Sequence, residues 1–178
     1  MPAHARQVIF NPDEVGYYHC IARCVRRAYL CGTDQFTGKC FDHRKDLIVE
    51  RMQTLGEIFF IDVGSYAILS NHLHIVLRNR PDLARNANNF EIASLWWKLF
   101  PQKVNGIHQP NIPANIQAKL ADDEPWCEER RRRLSSISWY MKSLAEYIAR
   151  IANKEDNVTG RFWEGRFKSI ILLDEDAV

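Results

Sequence analysis

The chain has 178 residues, 46% of them hydrophobic and 26% charged, with a net charge of +2. This length suits one domain with a real core and excludes two full ones. No apolar run approaches the ~20 residues of a membrane helix, and Met1-Pro2-Ala3-His4-Ala5-Arg6 has no apolar stretch behind its charge; a cytoplasmic protein without a secretory signal is expected. Acids gather in 122–129 and 174–176, bases in 23–27, 130–133 and 161–168. Local basic patches can hold an anionic polymer at balanced net charge, although the run Arg130 to Arg133 reads equally as a solvated helix face.

Residues 17–25 are β-branched, aromatic and small, which predicts a strand. After a loop at 32–40, Leu47, Ile48, Met52 and Leu55 keep helical spacing, predicting an amphipathic helix from Asp42, its candidate N-cap, to about Glu57. Residues 59–69 and 72–78 read as two strands, and the short Ser70-Asn71 break makes them an antiparallel hairpin. In 82–133, Leu95 to Phe100 suggest one short helix, 101–115 is punctuated by Pro101, Gly106, Pro110 and Pro113, and 115–121 and 126–133 suit two more short helices. Ile137, Tyr140, Met141, Leu144, Ile148 and Ile151 mark a helix over about 135–153. A turn at 157–160 leads to a final strand at 167–173, and Asp174-Glu175-Asp176 resemble the acidic first turn of another helix.

The five cysteines, Cys20, Cys24, Cys31, Cys40 and Cys127, are odd in number and do not suggest a disulfide framework. Their spacing lacks CxxC pairs, and Cys20 and Cys24 fall in the first strand as small core residues, so a zinc site is disfavoured. The element order is β-α-β-β, an insertion at 82–133, then α-β. It predicts a single α+β domain over 1–178 with a ferredoxin-like β-α-β-β-α-β antiparallel sheet and helices on one face.

In a strand, side chains two apart share a face, so His72 and His74 stand side by side while Leu73 points into the opposite layer. Two neutral imidazoles can take two cis positions on one cation, leaving others open for water or substrate. Such a pair also occurs in ordinary cores and surfaces. Its position directly after a tight turn, rigid and reachable, favours a metal site. His19 could face this pair from the first strand, but its favoured reading is a satisfied core histidine.

The stretch from Tyr66 to Leu77, centred on Asn71-His72-Leu73-His74, resembles the His-hydrophobic-His strand of single-tyrosine (HUH) transposases, with greatest likeness to REP-associated tyrosine transposases. Tyr18 to Arg27 resembles that family's first strand with its basic end, and Gly160 to Lys168 resembles the segment leading into its last strand. The resemblance covers roughly 1–80 and 135–178.

What the resemblance implies is metal-dependent cleavage and joining of single-stranded or hairpin DNA. His72 and His74, with a third polar ligand, would hold Mg²⁺ or Mn²⁺, and a tyrosine would attack the phosphorus to leave a 5′-phosphotyrosine link. The family carries that tyrosine and third ligand on a helix after the last strand. Here that helix would begin near Asp174 and the sequence ends at Val178. A truncated chain is therefore expected, with a non-catalytic DNA-binding protein derived from a transposase as the alternative. Tyr140 and Tyr147 read as packing residues rather than substitute nucleophiles. The resemblance leaves the 82–133 insertion unexplained, and family members include both dimers and monomers, so a homodimer is an open expectation. Ser70 replaces the family's more frequent proline.

For DNA contact, Arg26 and Arg27 at a strand end, and Arg161, Arg166 and Lys168 flanking Phe162 and Trp163, combine cations for phosphates with aromatic faces for unstacked bases. The competing reading makes Trp163 and Phe167 core residues and the arginines solvated. His4 and Arg6 belong to an N-terminal segment that would either form an arm on DNA or stay disordered.

Overall fold

The computed structural model describes residues 12–25, 28–104 and 106–172. In chain order the elements are β1 (Gly16–Arg23), α1 (His43–Gly56), β2 (Ile61–Ile68), β3 (His72–Asn79), α2 (Pro81–Asn86), α3 (Asn89–Leu99), a small hairpin of β4 (Lys103–Val104) and β5 (Ile107–His108), α4 (Ala114–Ala121), α5 (Glu124–Leu134), α6 (Ile137–Glu155) and β6 (Lys168–Leu172). The main sheet is antiparallel in the order β2-β3-β1-β6, the ferredoxin-like arrangement expected from the element order.

Alternation along the central strands makes the core. Tyr18, Cys20 and Ala22 of β1 and Leu73, Ile75 and Leu77 of β3 are buried on one face. Against them pack Ile48, Met52 and Leu55 of α1 and the stripe Ile137, Tyr140, Met141, Leu144 and Ile148 of α6. The Tyr140 hydroxyl, fully buried, donates to the Met52 carbonyl at 3.3 Å, and its ring meets Phe59 edge-on at 5.5 Å. Burial pushes its phenol well above the ordinary tyrosine range, against a smaller opposing effect of the nearby Arg51 charge. Tyr140 is thus a packing residue. Tyr140→Phe is expected to cost about 1 kcal/mol in denaturant unfolding, the worth of one buried hydrogen bond; a loss above about 3 kcal/mol would mean that the ring itself repacks.

The 82–133 segment is mostly helical and joins the same core through Ile92, Leu99, Cys127 and Leu134. Arg131 ties it together, donating to the Ala84 carbonyl at 2.8 Å, to Asn89 Oδ1 at 2.9 Å and to the Ala87 carbonyl. Asp42 occupies the N-cap position of α1 but makes no capping bond. Its backbone is already helical (φ −62°, ψ −29°), so the carboxylate does not fold back over the first turn; it accepts from Gly32 N at 3.1 Å and pairs with Lys45 at 2.9 Å.

One ionic cluster pins α1 to the end of α6. Arg44, only 3% exposed, reaches Glu155 at 2.8 Å, Asp156 at 2.7 Å and the Tyr29 carbonyl at 2.6 Å. His43 and Lys39 add contacts to Glu155 at 3.1 and 3.3 Å. Two acids at a helix C-terminus oppose the helix dipole, and these cations offset that. Burial alone would raise the Glu155 carboxyl, but hydrogen bonds from Arg44 and His43 and the Arg44 charge hold it down at about 2.

Candidate functional site

The sheet face opposite the core carries Tyr17, His19, Ile21 and Arg23 from β1 and His72, His74, Val76 and Arg78 from β3, nearly all half-buried. The register sets Arg23 opposite His72, Ile21 opposite His74 and His19 opposite Val76. His19 is therefore a diagonal neighbour of His74, within side-chain reach.

The structure brings His72 and His74 together, with ring centroids 6.1 Å apart and planes tilted by 38°. The preceding turn is tied on several sides: Leu69 N donates to the His72 carbonyl at 2.8 Å, Cys24 N to the Asn71 carbonyl at 3.0 Å, and Leu30 N to the Ser70 carbonyl at 2.7 Å. His72 Nδ1 lies 2.6 Å from Asn71 Oδ1. An amide oxygen only accepts, so the proton sits on Nδ1 and the Nε2 lone pair of His72 is left for a cation.

His19 joins the pair rather than the core, because strand alternation turns it away from buried Tyr18 and Cys20. Its ring stacks on His74 at 5.2 Å, and His19 Nε2 lies 3.0 Å from His74 Nδ1. Burial, reinforced by the His74 charge, lowers the His19 pKa below the ordinary imidazole value, which favours a neutral ring. If His74 donates from Nδ1, its Nε2 lone pair is freed in the same way as that of His72, with His19 as the orienting acceptor.

Two such nitrogens fit two cis positions on a divalent cation. Among the described residues, no three His, Cys, Asp or Glu side chains form a metal-binding group. Glu164, brought to this corner by its N–H bond to the Arg23 carbonyl at 2.9 Å, is ion-paired to Arg23 at 3.4 Å. Mg²⁺ and Mn²⁺ favour oxygen ligands, so water or phosphate oxygens would have to supply the rest of the shell.

The stretch 161–168, which reads as one basic tract, divides between two sides of the sheet. Lys168, exposed, is paired with Ile21 and therefore lies on the histidine face. Arg166 and Trp163 line a cleft on the helical side. Trp163 is half-buried, packs on the core and donates its indole N–H to the Ala145 carbonyl at 2.8 Å. Arg161 is exposed and reaches the Glu164 carbonyl at 3.4 Å. Arg26 and Arg27, the N-terminal His4 and Arg6, and the helix start expected at Asp174 lie outside the described residues.

Only part of the Arg130–Arg133 run is solvated. Arg132 is largely exposed, whereas Arg131 is mostly covered, paired with Glu128 and bonded to backbone carbonyls. Arg130 lies over Trp126 at 4.6 Å and Trp96 at 5.4 Å, and Arg133 over Trp139 at 4.5 Å. Lys142 lies over the same Trp139 ring at 4.7 Å. The spacing Trp139–Lys142 places both on one face of α6, a signal present in the sequence.

No family model matches the sequence, and no curated protein matches it. Among solved structures, the chain is similar to a REP-associated tyrosine transposase bound to a REP hairpin, with a TM-score of 0.48 and 7% identity over 98% of this chain. The chain spans 65% of the length of that structure. No described helix is long and apolar enough to cross a membrane.

Proposed function

We propose that this domain binds single-stranded or hairpin DNA on the histidine face of its sheet, where His72 and His74 hold Mg²⁺ or Mn²⁺ against a phosphodiester for transposase-type strand cleavage. The observation that carries this reading is the His72–His74 pair itself, 6.1 Å apart on a central strand and oriented by Asn71 and His19. When bound, the cation would polarise the phosphate. His72 and His74 would position it, Lys168 would add positive charge on the same face, and His19 would set the tautomer of His74. A tyrosine would supply the nucleophile, as the sequence resemblance implies. Tyr140 does not serve, because its hydroxyl is buried on Met52. A DNA-binding protein without catalysis is the alternative reading.

Binding measured by fluorescence anisotropy tests the proposal. A hairpin with single-stranded flanks is expected to bind roughly tenfold tighter than a blunt duplex, as unstacked bases give aromatic side chains something to hold. Affinity should fall steeply between about 50 and 200 mM salt, as phosphate contacts require. Mn²⁺ should tighten binding. Failure to bind any DNA with Mn²⁺ present would sink the reading, whereas binding without a covalent protein–DNA adduct would select the non-catalytic form.

A further inference from the structure

On the helical side of the sheet, away from the histidines, a cleft of about 530 Å³ opens between α6 and residues 163–167. That volume lies within the range of small-ligand sites. Its walls are aromatic and apolar: Trp139 and Met141 from α6, Trp163 and Phe167 from the following segment. The indole bond to the Ala145 carbonyl fixes the Trp163 ring, so this wall is set before any ligand arrives.

The rim has the opposite character. Lys142 and Arg166 are both exposed, and neither makes an ion pair among the described residues. The one acid at the rim, Glu146, is engaged by Arg150 at 3.0 Å and leaves those cations unneutralised. A lipid tail or an apolar peptide would be matched by an apolar rim. Aromatic walls under cations that have no acidic partner match a flat aromatic ring that carries negative charge.

A row of cations leads to this cleft from the insertion. Arg133, ion-paired to Glu129 at 2.6 Å, covers the Trp139 ring from α5 and also lies 5.7 Å from Trp96, whose ring Arg130 approaches at 5.4 Å. Arg130 makes no ion pair among the described residues, and its Nε is buried without a hydrogen-bond partner. The tryptophans hold these guanidinium groups in line across α3, α5 and α6.

We propose that the cleft receives one unstacked nucleotide of a bound DNA strand, with its base against Trp163 and Phe167 and its phosphate on Lys142 and Arg166. Arg130, without an acidic partner among the described residues, then guides the adjoining backbone, which gives the insertion a role. This inference rests on the DNA-binding reading above but concerns a different side of the sheet. It requires a strand to pass around the sheet end near Arg23 and Glu164, where the 163–167 segment bridges the two faces.

Abasic-site scanning of a hairpin's single-stranded flank tests it. For the unaltered protein, removing one particular base should weaken binding about tenfold, the worth of one stacked base, while removing its neighbours has little effect. Ala145→Leu fills the cleft from the helix. Gly165→Leu fills it from the loop, where an added Cβ meets nothing within 4 Å. Each variant should bind the intact strand as weakly as the unaltered protein binds the strand lacking that base, with no further loss on the abasic strand. Thermal melting identifies a variant that fails to fold, and the other, on a separate element, then carries the test; Lys142→Ala, at an exposed position, should weaken the intact strand in either case. DNA binding with no base-dependent position, or a penalty that survives in a folded filled variant, overturns the pocket alone. Absence of any DNA binding overturns the pocket together with the reading it rests on.

Discussion

His72→Ala and His74→Ala are each expected to lower Mn²⁺ affinity by at least about 100-fold, beyond the loss typical of an outer-shell substitution. The reason is the sparse donor set: two imidazoles on one strand, with no third His, Cys, Asp or Glu completing a group among the described residues. Removing either leaves a single nitrogen and no chelate. His19→Ala should cost less, about 10-fold, because His19 orients His74 rather than offering its own nitrogen to the cation. Titration followed by the Mn²⁺ electron paramagnetic resonance signal, with hairpin DNA present, reads metal occupancy directly and does not depend on turnover. All three positions are half-buried on a face opposite the core, so melting temperatures should change little. Unchanged Mn²⁺ binding in a folded His72→Ala/His74→Ala double variant would end the metal reading.

Arg44→Ala is expected to be the most destabilising change outside the apolar core, by about 3–5 kcal/mol at neutral pH, because it strips a buried cation from two carboxylates. In a chain of this length that corresponds to a fall in melting temperature of roughly 10 °C. Glu155 and Asp156 would face the end of α6 without their nearest partner, and the Tyr29 carbonyl would lose its donor. The effect should depend on pH in a defined direction. Glu155 titrates at about 2 in the folded protein against an ordinary 4.5, so its stabilisation is complete above pH 4.5 and disappears as pH falls through about 2. The gap between the unaltered protein and Arg44→Ala should therefore narrow between those values. Urea unfolding at pH 7 and pH 3 checks this, and a gap that widens on acidification would contradict the assigned ion pairs.

The strands and principal helices were legible because their signals are local. Alternation in β1 and β3 and the stripe on α6 each involve residues within one turn or two of each other, and the structure places these elements within about two residues of expectation. Arg44 shows the opposite case. On α1 it reads as one charge among several on a polar helix, and its partners lie 111 and 112 residues away. His19 likewise sits beside His74 only because β1 and β3 pair in one register, which no spacing within either strand reveals. The 161–168 tract is contiguous in sequence, but pairing of Lys168 with Ile21 sends it to one side of the sheet while Arg166 stays on the other. The insertion's short helices were partly visible, and its cation–aromatic ladder was not, since it assembles from three helices.

The histidine strand is flanked on both sides, by β2 and by β1, so its amides are locked into ladders throughout. Its solvent exchange should require opening of nearly the whole domain, with a protection free energy close to that of global unfolding. A pair of side chains mounted there cannot be gated by fraying. Any motion that admits or releases a strand must then come from the surroundings: the 28–41 loop, whose backbone touches the turn before His72, and the 163–167 segment at the sheet end. The domain thus divides into a slow-exchanging platform and faster-opening borders, and the kinetics of engagement belong to the borders.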